Sequence, residues 1–218
     1  MSRTAIVVGS NGLIGSELLN MLLEDDYYRT VVSLARKYLD MKNPKLVQYI
    51  IEDYNQLDEF EELIAADDIY CCLGTTMKKA GSKEAFKKVD YEYPLNIARL
   101  ASLNDSQQFF LVSSLGANPE SGVFYNKVKG QVEESIKQIE FKGIHIFRPS
   151  LLLGQRDEKR GGESSAKVLM NTFSFAMVGP WKKYKPIQAK KVAEVMFSTA
   201  QKNSGGIHVY ESDQIASL

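Results

Sequence analysis

The chain opens with an apolar run that ends in three glycines: Thr4-Ala5-Ile6-Val7-Val8-Gly9-Ser10-Asn11-Gly12-Leu13-Ile14-Gly15-Ser16. A leucine-rich helical pattern follows over residues 13–24. The stretch therefore predicts a strand, a tight turn and a helix. Gly9 lets the chain leave the strand sharply, Gly12 lets the backbone approach a pyrophosphate, and Gly15 lets the helix pack closely on the strand. The N–H groups of the first helical turn then face an anion.

The glycine spacing favours a dinucleotide-binding turn, although the first two glycines are one residue further apart than in the commonest G-x-G-x-x-G pattern. A glycine-rich turn that binds nothing is the alternative. The position between a strand and a helix at the start of the chain favours the nucleotide. A P-loop is excluded because no Gly-Lys-Ser/Thr follows. The candidate contacts in the turn are Gly9, Ser10, Asn11, Gly12, Leu13, Ile14 and Gly15.

The composition is typical of a globular domain. The 218 residues are 44% hydrophobic and 25% charged, and the formal net charge is zero. This balance gives no electrostatic reason to expect nucleic acid or an anionic membrane as a partner. We interpret residues 1–218 as a single nucleotide-binding domain in which residues 154–186 form a small substrate-side region.

Targeting signals and cysteines give expectations about location. The sequence shows no signal peptide and no apolar run of about 20 residues, so we expect a cytoplasmic protein that does not span a membrane. Cys71 and Cys72 are adjacent, which leaves no ordinary intrachain disulfide and favours buried thiols in a reduced compartment. Because a zinc site would lack ligands, we expect no metal.

The residues after the second predicted strand indicate the type of nucleotide. This strand covers residues 30–35 and is followed by Arg36 and Lys37. An acidic residue there would accept hydrogen bonds from the adenosine ribose of NAD, whereas Arg36 suits the 2′-phosphate of NADP. The sequence therefore favours NADP(H) over NAD(H). A plain surface arginine is the alternative.

Two further strand ends are expected to meet the nucleotide. A strand over 46–51 is followed by Asp53 and Tyr54, where the adenine ring should lie; a strand-end cap is the alternative for both. A strand over 68–73 leads into small and hydroxyl residues that suit the middle of the cofactor, with a simple Ser/Thr turn as the alternative. The candidates at this second strand end are Leu73, Gly74, Thr75 and Thr76.

Strands and helices alternate through most of the chain, which predicts a doubly wound parallel α/β sheet, the Rossmann arrangement. The expected strand order is 3-2-1-4-5-6, with the crevice over the carboxyl ends of the first and fourth strands. Five lysines over residues 77–88 are expected to form a solvated face. The other predicted elements are helices over 56–65, 90–103, 125–139, 164–174 and 188–202, strands over 109–112, 144–147 and 206–210, and a polar loop over 154–163.

Three side chains form a candidate catalytic group. Tyr125 and Lys129 are four residues apart in a predicted helix and share one face. The ordinary pKa of a tyrosine phenol is about 10, and a nearby ammonium lowers it toward the working range of an acid or base. Ser114 ends the preceding strand, and its hydroxyl can hold a substrate oxygen. A Tyr-x-x-x-Lys pattern alone often occurs by chance. Here the pair follows a serine in a chain whose glycine turn already predicts nucleotide binding, which favours a catalytic role.

Four motifs together resemble the short-chain dehydrogenase/reductase superfamily. They are the glycine turn Gly9-x-x-Gly12-x-x-Gly15, Ser114, the pair Tyr125-x-x-x-Lys129 and the triplet Arg148-Pro149-Ser150. The atypical branch of Tat-interacting-protein oxidoreductases is similar over nearly the whole chain and most specifically between residues 69 and 154. The motifs that carry this closer resemblance are Cys71-Cys72-Leu73-Gly74-Thr75-Thr76, Lys79-Ala80-Gly81, Val89-Asp90, Ser113-Ser114-x-Gly116-Ala117 and Val128-Lys129-Gly130-x-Val132-Glu133.

The resemblance implies a Rossmann fold, bound NADP(H) and a Ser-Tyr-Lys site, with Pro149 near the nicotinamide. Because Ser114 and Tyr125 are closely spaced for the family, Ser113 is kept as a cofactor contact and as the alternative catalytic serine. Leu115 and Gly116 stand where sugar dehydratases carry Asp-Glu, which argues against dehydration. The implied cofactor contacts are Gly9, Asn11, Gly12, Leu13, Ile14, Arg36, Thr75, Tyr125 and Lys129.

Two hypotheses of function follow. The first is an NADP(H)-dependent oxidoreductase that acts on a small carbonyl or alcohol. The second is an NADPH-bound regulatory module that binds a partner protein and has little catalytic activity. A homodimer is left open in either case.

Overall fold

The computed structural model describes residues 3–54, 64–154 and 179–218. The described residues form a seven-stranded, fully parallel sheet in the order β3-β2-β1-β4-β5-β6-β9, and a separate pair of short strands, β7 and β8. This order confirms the predicted doubly wound sheet. The strands are β1 Arg3–Val8, β2 Tyr28–Ala35, β3 Leu46–Ile50, β4 Asp68–Cys71, β5 Gln108–Val112, β6 Gly143–Arg148, β7 Leu152–Leu153, β8 Ile187–Gln188 and β9 Gly206–Glu211.

Helices cover both faces of the sheet. Those described are α1 Leu13–Glu24, α2 Met77–Ala80, α3 Lys83–Lys87, α4 Tyr93–Leu103, α5 Phe124–Ile136, α6 Ala189–Lys202 and α7 Ser212–Ser217. A π-helical turn, Lys88–Glu92, joins α3 to α4, and a 3-10 helix spans Gly179–Tyr184.

The sheet separates two apolar cores, which follow from the alternation of side chains along each strand. In β1, Ala5 and Val7 join the core under α1 and α6, while Ile6 and Val8 join the core under α4 and α5. All four side chains are fully buried. An apolar run buried on both faces is typical of a central parallel strand, and it places the end of β1 at the middle of the sheet.

Several elements differ from the sequence-based expectation. The lysine segment forms α2 and α3, and its lysines at 78, 79, 83 and 87 are exposed, as expected. The predicted helix over 90–103 begins as a π-helical turn, and the predicted helix over 125–139 ends at Ile136. The predicted strand over 206–210 is β9, the seventh strand, parallel to β6. The predicted helix over 164–174, and nearly all of the helix over 56–65 and the loop over 154–163, lie outside the described residues.

Two sequence expectations can be compared with the described part of the chain. There, no helix combines the length and the apolar character needed to cross a membrane. Cys71 is buried and Cys72 is half-buried, and both thiols are free. Burial raises the pKa of the Cys71 thiol to about 12, so this group is protonated near neutral pH.

Candidate active site

The glycine turn lies between the ends of β2 and β4. Gly9 has a φ of +82°, which favours glycine, and its N–H donates to the Leu34 carbonyl at 3.0 Å. A Cβ on Gly9 would lie 3.0 Å from the Cys72 carbonyl oxygen. Gly12 closes the turn by donating its N–H to the Gly9 carbonyl at 2.9 Å. The turn is therefore held by backbone contacts on both sides.

The turn leaves the start of α1 available to an anion. Gly12 is the N-cap residue, so no side chain caps the first turn of this helix, and that turn contains no acidic residue. Asn11 and Gly12 are both exposed. Uncapped N–H groups at an exposed helix start fit a pyrophosphate, because the N–H groups and the helix dipole both favour negative charge there.

The end of β2 lies beside this turn. The Ser10 and Ser33 hydroxyl groups are 2.6 Å apart and buried, so Ser10 holds the turn to β2. Asn11 donates its side-chain amide to the Lys37 carbonyl at 3.3 Å. Arg36 and Lys37 are exposed, which leaves both cations at the rim of the turn.

The two residues predicted to meet an adenine ring lie differently. Tyr54 is 2% exposed, and its hydroxyl donates to the Leu34 carbonyl at 3.0 Å, so its ring packs in the core under β2. Burial raises the pKa of Tyr54, and the nearby Arg36 charge opposes this. Asp53 accepts from Lys88 Nζ at 2.8 Å at the surface. Of these two side chains, only Asp53 faces outward.

The end of β4 crosses the middle of the crevice. Leu73 packs partly against the core, and Gly74 is exposed. Thr75 donates its backbone N–H to Asp90 Oδ2 at 2.9 Å. Thr76 caps α2, since its hydroxyl accepts from the Lys79 N–H at 3.2 Å. The Thr76 hydroxyl thus forms the Ser/Thr turn that the sequence left as the alternative.

Lys129 reaches this strand end from α5. Its Nζ lies 2.7 Å from Asp90 Oδ1, and both side chains are almost fully buried. Burial disfavours the ammonium, but the Asp90 carboxylate and the nearby Tyr125 outweigh it, so the pKa of Lys129 lies above its ordinary value. Tyr125 is half-buried, and its ring packs against Phe86 with the ring centroids 5.3 Å apart. The lysine charge and the phenol thus share one face of α5, as predicted.

The two candidate serines have different surroundings. The Ser113 hydroxyl donates to the buried Glu133 carboxylate and is therefore occupied. The Ser114 hydroxyl is buried and has no hydrogen-bond partner among the described residues. Since a buried hydroxyl without a partner is costly, it is suited to a ligand oxygen. Both serines follow β5 directly, and the Ser113 side chain is the one that meets Glu133 on α5.

Glu133 and Arg148 fix α5 against the sheet. Arg148, at the end of β6, donates from Nε to Glu133 Oε1 at 3.0 Å and from Nη1 to Glu211 at 2.8 Å. Its hydrogen bonds to Glu133 raise the pKa of Arg148 above its ordinary value. Glu133 lies four residues beyond Lys129 on the same helical face. This buried charge network therefore locates the helix that carries Tyr125 and Lys129.

The loop after Ser114 packs along the start of α5. Asn118 donates its N–H to the Asn126 carbonyl at 3.0 Å, and a Cβ on Gly130 would lie 2.2 Å from the Asn118 carbonyl carbon. Pro149 is buried, and its carbonyl accepts the Leu115 N–H at 2.9 Å. These contacts bring the ends of β5 and β6 beside the tyrosine helix.

Sequence reasoning named neither Asp90 nor Glu133 as a site residue. Both carry a readable signal, because each is an acidic residue on a face that helical spacing predicts to be apolar. Asp90 is three residues before Tyr93 and seven before Ile97, and both of these are buried. A charged residue in such a position is almost never buried without a partner.

The comparisons with known proteins show the family of the chain. The NAD dependent epimerase/dehydratase family matches residues 5–143. Protein FMP52, mitochondrial, from Candida albicans is 34% identical over 211 residues, covering 93% of this chain and 90% of that protein. Protein HTATIP2 from Rattus norvegicus is 34% identical over 169 residues, covering 76% of this chain and 69% of that protein.

The same relatives correct the expected location. FMP52 proteins of Candida albicans, Debaryomyces hansenii and Scheffersomyces stipitis are all named mitochondrial. The cytoplasmic location predicted from the sequence is therefore wrong. Its basis was a search for secretory and membrane-spanning signals, which does not address mitochondrial proteins.

Solved structures share the fold at low identity. WbmH of Bordetella bronchiseptica in complex with NAD+ superposes with a TM-score of 0.73 at 15% identity, over 97% of this chain and 75% of that one. The dTDP-4-dehydrorhamnose reductase of Bacillus anthracis in complex with NADP gives a TM-score of 0.64 at 15% identity, over 97% and 75% of the two chains. With its sheet order, glycine turn and two curated relatives, the chain belongs to the NAD dependent epimerase/dehydratase family of the atypical short-chain dehydrogenase/reductase superfamily, in the branch that contains HTATIP2 and FMP52.

Proposed function

We propose that this protein is an NADP(H)-dependent oxidoreductase that interconverts a small carbonyl and its alcohol. The observation that carries the proposal is the buried hydroxyl of Ser114, which has no hydrogen-bond partner within the described ranges. It lies just after β5, and Tyr125 and Lys129 lie on the helix that follows. A hydroxyl donor, a phenol and an ammonium at one crevice suit the polarisation and protonation of a carbonyl oxygen.

Each side chain has a distinct role in this proposal. Ser114 donates a hydrogen bond to the substrate oxygen and fixes its direction. Tyr125 gives its phenolic proton to that oxygen during reduction and takes it back during oxidation. Lys129 binds the nicotinamide ribose, and its positive charge stabilises the Tyr125 phenolate that forms. The bound nucleotide supplies or accepts the hydride.

The preference for NADP(H) rests on the end of β2. Arg36 and Lys37 are exposed there, and no acidic residue follows the strand before Asp40. A guanidinium forms paired hydrogen bonds with a phosphate, and a carboxylate in this place would repel it. Arg36 is therefore the residue to which we assign the 2′-phosphate.

Dehydration of a sugar nucleotide fits these residues less well. Leu115 follows Ser114, has an apolar side chain and donates its backbone N–H to the Pro149 carbonyl. Gly116 has a φ of +82° and no side chain. Neither offers the acid–base pair that a dehydration needs.

The test is a Tyr125→Phe variant assayed with NADPH against a panel of aldehydes, ketones and quinones. Removing the phenolic hydroxyl should lower turnover by about 10²-fold or more, because the general acid is lost. NADPH affinity should stay within about twofold, which separates lost chemistry from lost binding. Equal turnover in the variant, on a substrate that the wild type reduces, would refute the assignment. A wild type that binds NADPH but turns over none of the panel would favour the regulatory hypothesis.

We also infer a mitochondrial location, because two FMP52 relatives named mitochondrial match 93% and 92% of this chain. Fractionation of cells that express the tagged protein tests this. Recovery with a matrix or outer-membrane marker supports the inference, and recovery with a cytosolic marker alone refutes it.

A further inference from the structure

Asp90 is a buried carboxylate that touches two parts of the crevice. It lies in the π-helical turn Lys88–Glu92, and its side chain is fully buried. One oxygen lies 2.7 Å from Lys129 Nζ on α5, and the other accepts the Thr75 N–H at 2.9 Å after β4. A single carboxylate therefore joins the strand end and the tyrosine helix.

Lys129 has little access to water in this place. Its side chain is 5% exposed, and burial without a partner favours the neutral amine, with buried lysines known to titrate as low as about pH 5–6. The pair lies directly beside the backbone of β4, since a Cβ on Gly74 would be 3.6 Å from Asp90 Oδ1 and 3.8 Å from Lys129 Nζ. The carboxylate is thus the contact that compensates the buried ammonium.

We propose that Asp90 is a positioning residue that holds Lys129 Nζ at the end of β4 and keeps its ammonium charged. Asp90 acts through Lys129 and touches neither the phenol of Tyr125 nor the substrate. Asp90 lies in the middle of the π-helical turn Lys88–Glu92, an irregularity that is frequent at functional sites. The charge state of Lys129 can be measured without any catalytic turnover, whereas the consequence for catalysis rests on the proposed function.

The other titratable groups that face Lys129 leave Asp90 as its counter-ion. Tyr125 faces it from α5, and the Cys71 thiol faces it from β4. Burial keeps that thiol protonated, with its pKa raised to about 12. That thiol offers no negative charge near neutral pH, so removal of the Asp90 charge takes away the carboxylate that lies 2.7 Å from the ammonium.

The test is a pH titration of Lys129 in the full chain. It is monitored by NMR on protein labelled with 13C at the lysine ε-carbon. A Lys129→Arg variant assigns the resonance. In the wild type, the midpoint should lie at or above the ordinary value of about 10.4. In Asp90→Asn, which keeps the shape and an oxygen for the Thr75 N–H, the midpoint should fall by at least about one pH unit. An unchanged midpoint would overturn the proposal.

Glu134→Gln is the matched control. Glu134 also lies on α5 and forms an ion pair with Lys137 at 2.7 Å, but both side chains are partly exposed. Loss of this carboxylate should leave the Lys129 midpoint unchanged, because water compensates an exposed ammonium. A shift as large as that in Asp90→Asn would mean that general charge, and not the direct contact, sets the state of Lys129, and it would overturn the proposal.

A second variant covers the case in which Asp90→Asn does not fold. Lys129→Met removes the ammonium and keeps an apolar side chain of similar length. The double variant Asp90→Asn/Lys129→Met should then fold, because the uncompensated buried charge is gone. A double variant that also fails to fold would overturn the proposal.

Turnover separates this inference from the proposed function. If Tyr125 is the acid, Asp90→Asn should lose activity at lower pH than the wild type, in step with the Lys129 midpoint. If the NMR midpoint shifts in Asp90→Asn but neither the wild type nor the variant shows turnover, the ion pair is upheld and the proposed oxidoreductase function is refuted. Turnover whose pH profile is the same in both proteins, with no NMR shift, would uphold the activity and refute the role of Asp90.

Discussion

Gly15→Ala tests the link between helix packing and nucleotide binding. A Cβ on Gly15 would lie 2.3 Å from the Gly9 carbonyl oxygen and 2.9 Å from its carbon, and both are backbone atoms that no rotamer change can move. Since ordinary contact begins near 3.4 Å, the start of α1 must retreat from the turn by about 1 Å. The N–H groups of its first turn retreat with it.

Two opposing effects set the expected stability. Alanine in a helix is favoured over glycine by about 0.5–1 kcal/mol, whereas overpacking a rigid contact costs about 1–3 kcal/mol. We therefore expect a net loss of about 1–2 kcal/mol, measured by urea denaturation. Nucleotide affinity should fall by about tenfold or more, because a displacement near 1 Å spoils the hydrogen bonds to a pyrophosphate. Fluorescence titration with NADPH measures this loss.

Gly122→Ala is the control for Gly15→Ala. Gly122 is exposed and has no atom within 4 Å of the position of an added Cβ. Its stability should stay within about 0.5 kcal/mol of the wild type, and its nucleotide affinity should not change. A Gly15→Ala protein that matches this control in both measurements would refute the close packing of α1 on the turn.

Three further predictions concern single side chains. Arg36→Ala should abolish an NADPH preference over NADH that we expect to be at least about tenfold, as calorimetric titration with both nucleotides would show. Ser114→Ala should lower turnover by about 10²-fold, whereas Ser113→Ala, which removes only a hydrogen bond to Glu133, should act mainly on the urea midpoint. Burial, and to a smaller extent the charge of the stacked His208, lowers the pKa of His145 to about 4. Between about pH 6.5 and 4 this imidazole is therefore protonated in the unfolded chain but not in the folded protein. The free energy of unfolding consequently falls as the pH drops through that window. Between pH 7 and 4 the wild type should lose about 2 kcal/mol more than His145→Phe, measured by urea denaturation at both pH values.

Local signals predicted the fold and the glycine turn after β1 well. The buried alternation of β1 and the glycines after it lie within thirteen residues, so short-range sterics decide them. The sheet order follows from the regular alternation of strands and helices. The common face of Tyr125 and Lys129 was predicted for the same reason, because it follows from their spacing along one helix.

The remaining site residues depend on contacts between distant segments. Asp90 meets Lys129 across 39 positions, through a π-helical turn that helical periodicity does not predict. The difference between Ser113 and Ser114 depends on the hydrogen bond of Ser113 with Glu133, which lies 20 residues further along the chain on α5. The sequence predicts an adenine contact or a strand-end cap for Tyr54, yet its hydroxyl donates to the Leu34 carbonyl and the ring is buried. In each case a tertiary hydrogen bond decides the outcome, and the sequence alone does not contain it.

A crystal structure of this protein with NADP+ tests the assignment of the crevice most directly. We predict that the pyrophosphate lies on the N–H groups at the start of α1, that the 2′-phosphate contacts Arg36, and that the nicotinamide ribose lies within hydrogen-bond distance of Lys129 Nζ. The nicotinamide ring should then lie beside Tyr125. A nucleotide bound away from the Gly9–Gly15 turn, or a nicotinamide remote from Tyr125, would contradict the proposed active site.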